Sequence, residues 1–167
     1  MTIAEITEQM IAYSEGSLHD IAHFIKVHSY ARTIALLEGV DDETRETVET
    51  AALVHDIACP VLRPRFGGTA PGKEQEREGG PMARALLEKC GVPSPRIDRV
   101  VFLVEHHHTY TGVDGKDWQI LLEADFLVNA HESGLPRYAV EAFRRNVFRT
   151  ASGIRLLNEM YLENAQE

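Results

Sequence analysis

The stretch Thr47-Val48-Glu49-Thr50-Ala51-Ala52-Leu53-Val54-His55-Asp56 decides how this chain is read. Its apolar positions Val48, Ala51, Ala52 and Val54 recur at helical spacing, so the segment is a helix with one face turned inward. That helix runs into an imidazole beside a carboxylate. Water ordinarily surrounds both groups, and holding them at a buried helix end requires compensation. A divalent cation supplies it, because neutral imidazole nitrogen and carboxylate oxygen together suit Zn, Mn, Fe or Ni. The dipeptide alone proves little, since His19-Asp20 repeats it. The second copy gains weight from a histidine upstream on a helix and an aspartate downstream in Leu121-Leu122-Glu123-Ala124-Asp125-Phe126-Leu127.

Outward from this stretch, almost every segment reads as helix. Ile3 to Tyr13 is amphipathic and closes at Ser14-Glu15-Gly16. Ser17 is placed to cap a second helix that runs to about Glu38 and stops at Gly39. Its positions Ile21, Phe24, Ile25, Val27, Ala31, Ile34 and Ala35 follow a helical period. Asp41-Asp42-Glu43 sets negative charge at the start of the third helix, as the macrodipole favours. Pro60 to about Gly72 reads as loop, Pro81 to Cys90 as helix, and Gly91-Val92-Pro93 as its end. A fifth helix carries Ile97, Val100, Val101, Leu103 and Val104 into Glu105-His106-His107-His108. After a loop from Thr109 to Lys116, Trp118 to about His131 is helical again, and Gly134-Leu135-Pro136 breaks it. The tail from Tyr138 to Glu163 reads as one or two helices interrupted near Ser152-Gly153. No sustained period-2 strand or repeat appears. The expected fold class is all-α, a compact bundle of roughly six to eight helices.

The 167 residues suit one domain with a single core, with a motif-bearing part over about 17–129 and C-terminal helices over 136–163. Apolar residues make up 44% and charged residues 26%, an ordinary globular balance. A formal net charge of -9 argues against a broad nucleic-acid-binding surface, while leaving room for a small anion beside a metal. Cys59 and Cys90 are too few for a disulfide scaffold. The N-terminus has no secretory pattern and no run is long enough to cross a bilayer, so a cytoplasmic protein without membrane attachment is expected.

A histidine, then His-Asp, then a distant aspartate, each on or ending a helix, resembles the HD superfamily of metal-dependent phosphohydrolases. Four local stretches are similar to small bacterial HD-domain proteins. They are His23-Phe24-Ile25-Lys26-Val27, the Gly72-Lys73-Glu74-Gln75-Glu76-Arg77-Glu78-Gly79-Gly80-Pro81 segment, His106-His107-His108-Thr109-Tyr110, and Glu123-Ala124-Asp125-Phe126-Leu127-Val128-Asn129. The resemblance covers about Ser17 to Asn129. It implies an HD-type helical bundle and a divalent cofactor (Mn, Fe, Ni, Zn, Co or Mg) held by His23, His55, Asp56 and Asp125. His23 leads Val27, Ala31 and Ile34 at offsets of four, eight and eleven, one inward stripe. His28 shares a neighbouring stripe and is its rival; His19 is nearer the helix start and reads as a solvated cap.

A second ion is an open expectation, with Glu78, His106 and His107 as its ligands. Glu78 stands where two-metal members often have histidine, and His107 satisfies both inward registers of the fifth helix. The implied reaction is hydrolysis of a phosphate ester or anhydride by metal-activated water. Asp56 would bridge two ions or accept the water proton, and His107 or His108 would supply a proton to the leaving group. Lys73 and Arg77, with Arg63 and Arg65, are candidate phosphate contacts, Lys73 foremost. The expected substrate is a small phosphorylated molecule, a nucleotide by resemblance alone. Trp118, Phe126, Tyr110 and Tyr30 are possible base-stacking residues that read first as core. A homo-oligomer is compatible with all of this. Alternative readings are a non-hydrolytic regulatory protein binding metal or nucleotide, and an HD-type di-iron oxygenase.

Overall fold

The computed structural model describes residues 2–163, and every regular element among them is helical. α1 (Ile3–Tyr13) starts on a reciprocal cap in which Thr2 accepts from the Glu5 N–H and Glu5 accepts from the Thr2 N–H. α2 (Leu18–Leu37) ends where Gly39 takes φ +64, a conformation that costs a residue without Cβ nothing. Asp41 caps α3 (Asp42–Val54) by accepting from the Thr44 N–H at 2.9 Å. Next come the single turn α4 (Cys59–Leu62), a 3₁₀ turn over Arg63–Arg65, α5 (Gly72–Lys89) and α6 (Ser94–Val104). α7 (Lys116–Glu132), α8 (Arg137–Asn146) and α9 (Ala151–Leu157) follow, the last passing into a π turn over Asn158–Leu162.

α2, α3 and α7 pack against one another as the centre of the bundle, with α6 on the far side of α3 and α5 against α6. α7 is buried almost all round, which is why its apolar residues show no single face. The stripe Val27, Ala31 and Ile34 on α2 is fully buried against the α3 residues Val48, Ala51 and Leu53. His23, His55 and Asp125 sit at one end of this three-helix contact. No described helix is long and apolar enough to cross a membrane.

Four sequence boundaries are corrected. α5 begins at Gly72, nine residues before Pro81, and runs straight through Gly79-Gly80-Pro81. Those glycines are contact points rather than a break. A Cβ on Gly79 would lie 2.9 Å from Val104 Cγ1, and one on Gly80 2.2 Å from Glu105 Oε1. The fifth predicted helix stops at Val104, so His106, His107 and His108 lie in the turn beyond it. Part of the loop after Pro60 is helical turn. The tail breaks at Val147–Thr150, and Ser152-Gly153 is inside α9. Gly153 is small because the buried Glu123 carboxylate occupies the space its Cβ would need, with Oε2 only 2.0 Å away. Glu123 accepts from the Gln119 amide, the Thr150 hydroxyl and the N–H groups of Arg149 and Thr150, binding α7 to the α8–α9 link. Ser17 also departs from its expected role: its hydroxyl donates to Asp20 Oδ2 at 2.7 Å rather than capping the backbone.

Candidate metal centre

α3 ends at Val54, and the turn that follows aims His55 back under its own helix. The His55 Nδ1–H donates to the Ala52 carbonyl at 2.9 Å, one of the carbonyls a helix end leaves unpaired. α6 ends in the same way. The His107 Nδ1–H donates to the Val104 carbonyl at 2.6 Å. On α2, the His23 Nδ1–H donates to Glu132 Oε2 at 2.8 Å. Each of these bonds fixes a tautomer and leaves the Nε2 lone pair facing inward.

The inward atoms converge. His23 Nε2 lies 3.3 Å from His55 Nε2, 3.3 Å from Asp56 Oδ2 and 3.3 Å from Asp125 Oδ1. His55 Nε2 lies 3.5 Å from Asp56 Oδ1 and 3.4 Å from Asp125 Oδ1. Ligands about 2.0–2.2 Å from a shared ion stand roughly 3.0–3.5 Å apart along the edges of its polyhedron. The spacings found here are of that size. Among the described residues no lysine or arginine pairs with Asp56 or Asp125, so these carboxylates and imidazole nitrogens form an electron-rich pocket suited to a cation. The donor set fits a divalent metal: His23, His55 and Asp56 form one group, and Asp125 Oδ1 lies beside both imidazoles without belonging to that group.

The electrostatics point the same way. Burial opposes a charged His23, yet the hydrogen bond with Asp125 and the charges of Asp56 and Asp125 push it up to about 9. His55 shifts upward too: burial opposes its charge, but the charge of Asp56 together with the hydrogen bond and charge of Asp125 outweighs it. Burial alone would raise Asp56; His55 and His107 instead hold it well below the ordinary carboxylate range.

A second donor group shares Asp56 and adds His107 and His108. His107 Nε2 is 3.3 Å from Asp56 Oδ1. Gln75 Oε1 lies 3.2 Å from His107 Nε2 and 2.8 Å from His108 Nε2, while the Gln75 amide N–H₂ donates to the Ala70 carbonyl. Glu76 receives the His108 N–H at 3.0 Å and the Thr109 hydroxyl at 2.9 Å. Burial and the charge of His107 bring His108 down to about 4, so it is neutral in ordinary buffers.

Other candidates lie elsewhere. Glu78 accepts from Arg65 through both oxygens, at 2.7 and 2.9 Å, and from Arg77 at 3.0 Å; it stands outside both donor groups. His106 donates to the Phe102 carbonyl at 2.7 Å, stacks on the Phe102 ring at 4.1 Å and meets Trp118 edge-on. Those contacts turn it into the aromatic packing instead of the centre. Arg77 is taken up by Glu74 and Glu78, and Lys73 is exposed. His28 donates to Glu49 at 3.0 Å, which removes it from the contest with His23. His19 is exposed. Trp118 and Phe126 are core, the latter stacked on Phe143 at 3.8 Å, whereas Tyr110 is 43% exposed. Burial and the nearby Asp56 charge drive the Cys59 thiol far up, so it is no nucleophile.

Sequence reasoning missed Glu132, Asn129, Gln75 and Glu76. Glu132 and Asn129 carried a signal: Asp125, Asn129 and Glu132 are spaced by four and three residues, one face of α7. The Asn129 amide donates to Asp125 Oδ1 at 2.9 Å. Gln75 and Glu76 were hidden because their segment read as the approach to Pro81.

The arrangement agrees with the wider comparison. The HD domain family matches residues 20–132. The chain belongs to the HD domain family. A crystal structure of a predicted HD superfamily hydrolase from an uncultured Thermotogales bacterium superposes with a TM-score of 0.69. It covers 95% of this chain and 84% of that one at 23% identity, a likeness of fold. The curated proteins supply no match. α1 lies outside the HD match, and its Met10 and Tyr13, with Ser14 just beyond it, line a narrow cleft beside His23 and Asp56.

Proposed function

We propose that this HD-domain protein hydrolyses a phosphate ester or anhydride of a small molecule, a nucleotide among the substrates to test first. One observation carries the reading: the Nε2 atoms of His23 and His55 each lie 3.3–3.5 Å from oxygens of Asp56 and Asp125, and among the described residues neither carboxylate pairs with a lysine or arginine. A divalent cation there would acidify water and draw charge from a phosphoryl oxygen. The chain's own contribution is orientation. Glu132 and the Ala52 carbonyl hold the His23 and His55 rings in place, and Asn129 fixes Asp125. Asp56, 30% exposed and held ionised, is the carboxylate able to take a proton from attacking water. His107 serves either as a donor to a second ion or, protonated, as the acid for the leaving group. Counting bound metal separates those two roles.

The test is metal analysis of purified protein, then turnover of a generic aryl phosphate and a nucleotide panel with added Mn or Ni. Metal-dependent phosphate release supports the reading. Bound metal with nucleotide affinity but no release indicates the regulatory alternative, and oxygen consumption by a two-iron form without phosphatase activity indicates the oxygenase. Wild-type turnover by a metal-free Asp56→Ala protein would refute the scheme.

A further inference from the structure

The imidazole N–H groups at the centre are spent facing away from it: His23 on Glu132, His55 on Ala52 and His107 on Val104. Two carboxylates already balance a divalent ion. A phosphoryl group arriving there thus needs N–H donors and positive charge from another side chain.

Four cations follow the His55-Asp56 pair, Arg63 and Arg65 in the 3₁₀ turn and Lys73 and Arg77 on α5, and they have different fates. Lys73 is exposed, Arg65 is held by Glu78, and Arg77 by Glu74 and Glu78. Of these four, Arg63 is the one tied to a residue of the centre's own wall. Its Nη1 donates to Asp20 Oδ2 at 2.9 Å and its Nη2 to Oδ1. Asp20 lines a narrow cleft of only about 10 Å³ together with His23, Asp56, Phe24 and Ile57. The Arg63 backbone is pinned as well: its N–H donates to the Cys59 carbonyl, and its carbonyl accepts from the Gly68 N–H at 2.8 Å. A guanidinium has five N–H donors in a rigid fork, and the Asp20 pair leaves several of them free. The side chain is one-third exposed, so those donors are reachable. Through Asp20 the guanidinium adjoins the cleft that His23 and Asp56 line.

We infer that Arg63, aimed by Asp20, grips the phosphoryl oxygens of the substrate while they face Asp56, and that Asp20 is the positioning residue for this grip. The inference rests on the phosphohydrolase reading. An arginine that merely tied the loop to α2 would affect stability alone.

Inorganic phosphate is the probe, titrated calorimetrically into Mn-loaded full-length protein, with metal content and Tm measured alongside. Arg63→Ala is expected to weaken phosphate binding about tenfold or more with unchanged Mn content, because a charge-assisted pair contributes roughly 1.5–3 kcal/mol. Arg63→Lys should recover part of the affinity, Asp20→Asn should lose an intermediate amount, and Arg65→Ala should bind as the wild type does. Wild-type phosphate affinity in Arg63→Ala overturns the inference, as does an equal loss in Arg65→Ala. Where Arg63→Ala does not fold, wild-type affinity in Asp20→Asn overturns it. A wild-type protein that binds metal but neither phosphate nor any phosphate ester sinks the hydrolase reading itself, and this inference with it.

Discussion

α2 and α3 meet at two polar places, and the two are built oppositely. At one, the buried Glu49 is surrounded by partners: His28 at 3.0 Å, Arg32 at 2.8 Å and Arg45 at 3.4 Å. At the other, His23 and His55 face Asp56 and Asp125, and among the described residues neither carboxylate pairs with an arginine or lysine. Burying a carboxylate costs several kcal/mol in either place. In the first the chain supplies the compensating charge itself, and the result is structure. In the second it supplies only acceptors, and the result is a receptor for a cation.

The sharpest way to break this contrast is to remove one acceptor. His55→Ala or Asp56→Ala should abolish bound metal by elemental analysis and lower any metal-dependent turnover by about 10²–10⁴-fold. Retention of metal by either variant would end the distinction. The converse is Glu49→Ala, which strands His28 and Arg32 while Arg45 keeps Asp42. It should cost about 2–4 kcal/mol, below the full value for a buried pair because Arg32 is half-exposed, and lower Tm by roughly 4–16 °C. Metal content should not change, a separation that denaturation curves and metal analysis read together.

Metal itself should stabilise the second place only. At a free concentration a hundredfold above Kd the gain is about 2.7 kcal/mol, or roughly 5–11 °C in Tm, and it should vanish in Asp125→Ala. Glu132→Gln keeps the fold but weakens the grip on His23 Nδ1, so metal affinity should drop about 10–100-fold in a chelator competition. The smallest effect belongs to Glu78→Ala. With its carboxylate given to Arg65, its loss should leave metal stoichiometry as it was, and a lost equivalent would restore Glu78 to the centre.

The same contrast explains what could be read beforehand. The all-α class and the buried stripe from His23 through Val27, Ala31 and Ile34 were legible because helical period records which face is inside. The choice between His23 and His28 was harder. Both lie on inward stripes, and only the position of Glu49 across the helix contact separates them. α5 was read short because Gly79-Gly80-Pro81 looks like a helix start, whereas the glycines answer to Val104 and Glu105 on a distant segment. That error concealed Gln75 and Glu76. Gly153 misled in the same manner, its partner Glu123 being thirty residues away along the chain. Tertiary contacts of this sort leave no local periodicity behind.

The rings of His55 and His107 do two jobs with one bond, since the N–H that orients each also occupies a carbonyl at the close of its own helix. Draining the ion would therefore not unlatch them. The ring positions are set by secondary structure, so loading would demand little rearrangement, and capture should run at a pace governed by dehydration of the incoming ion.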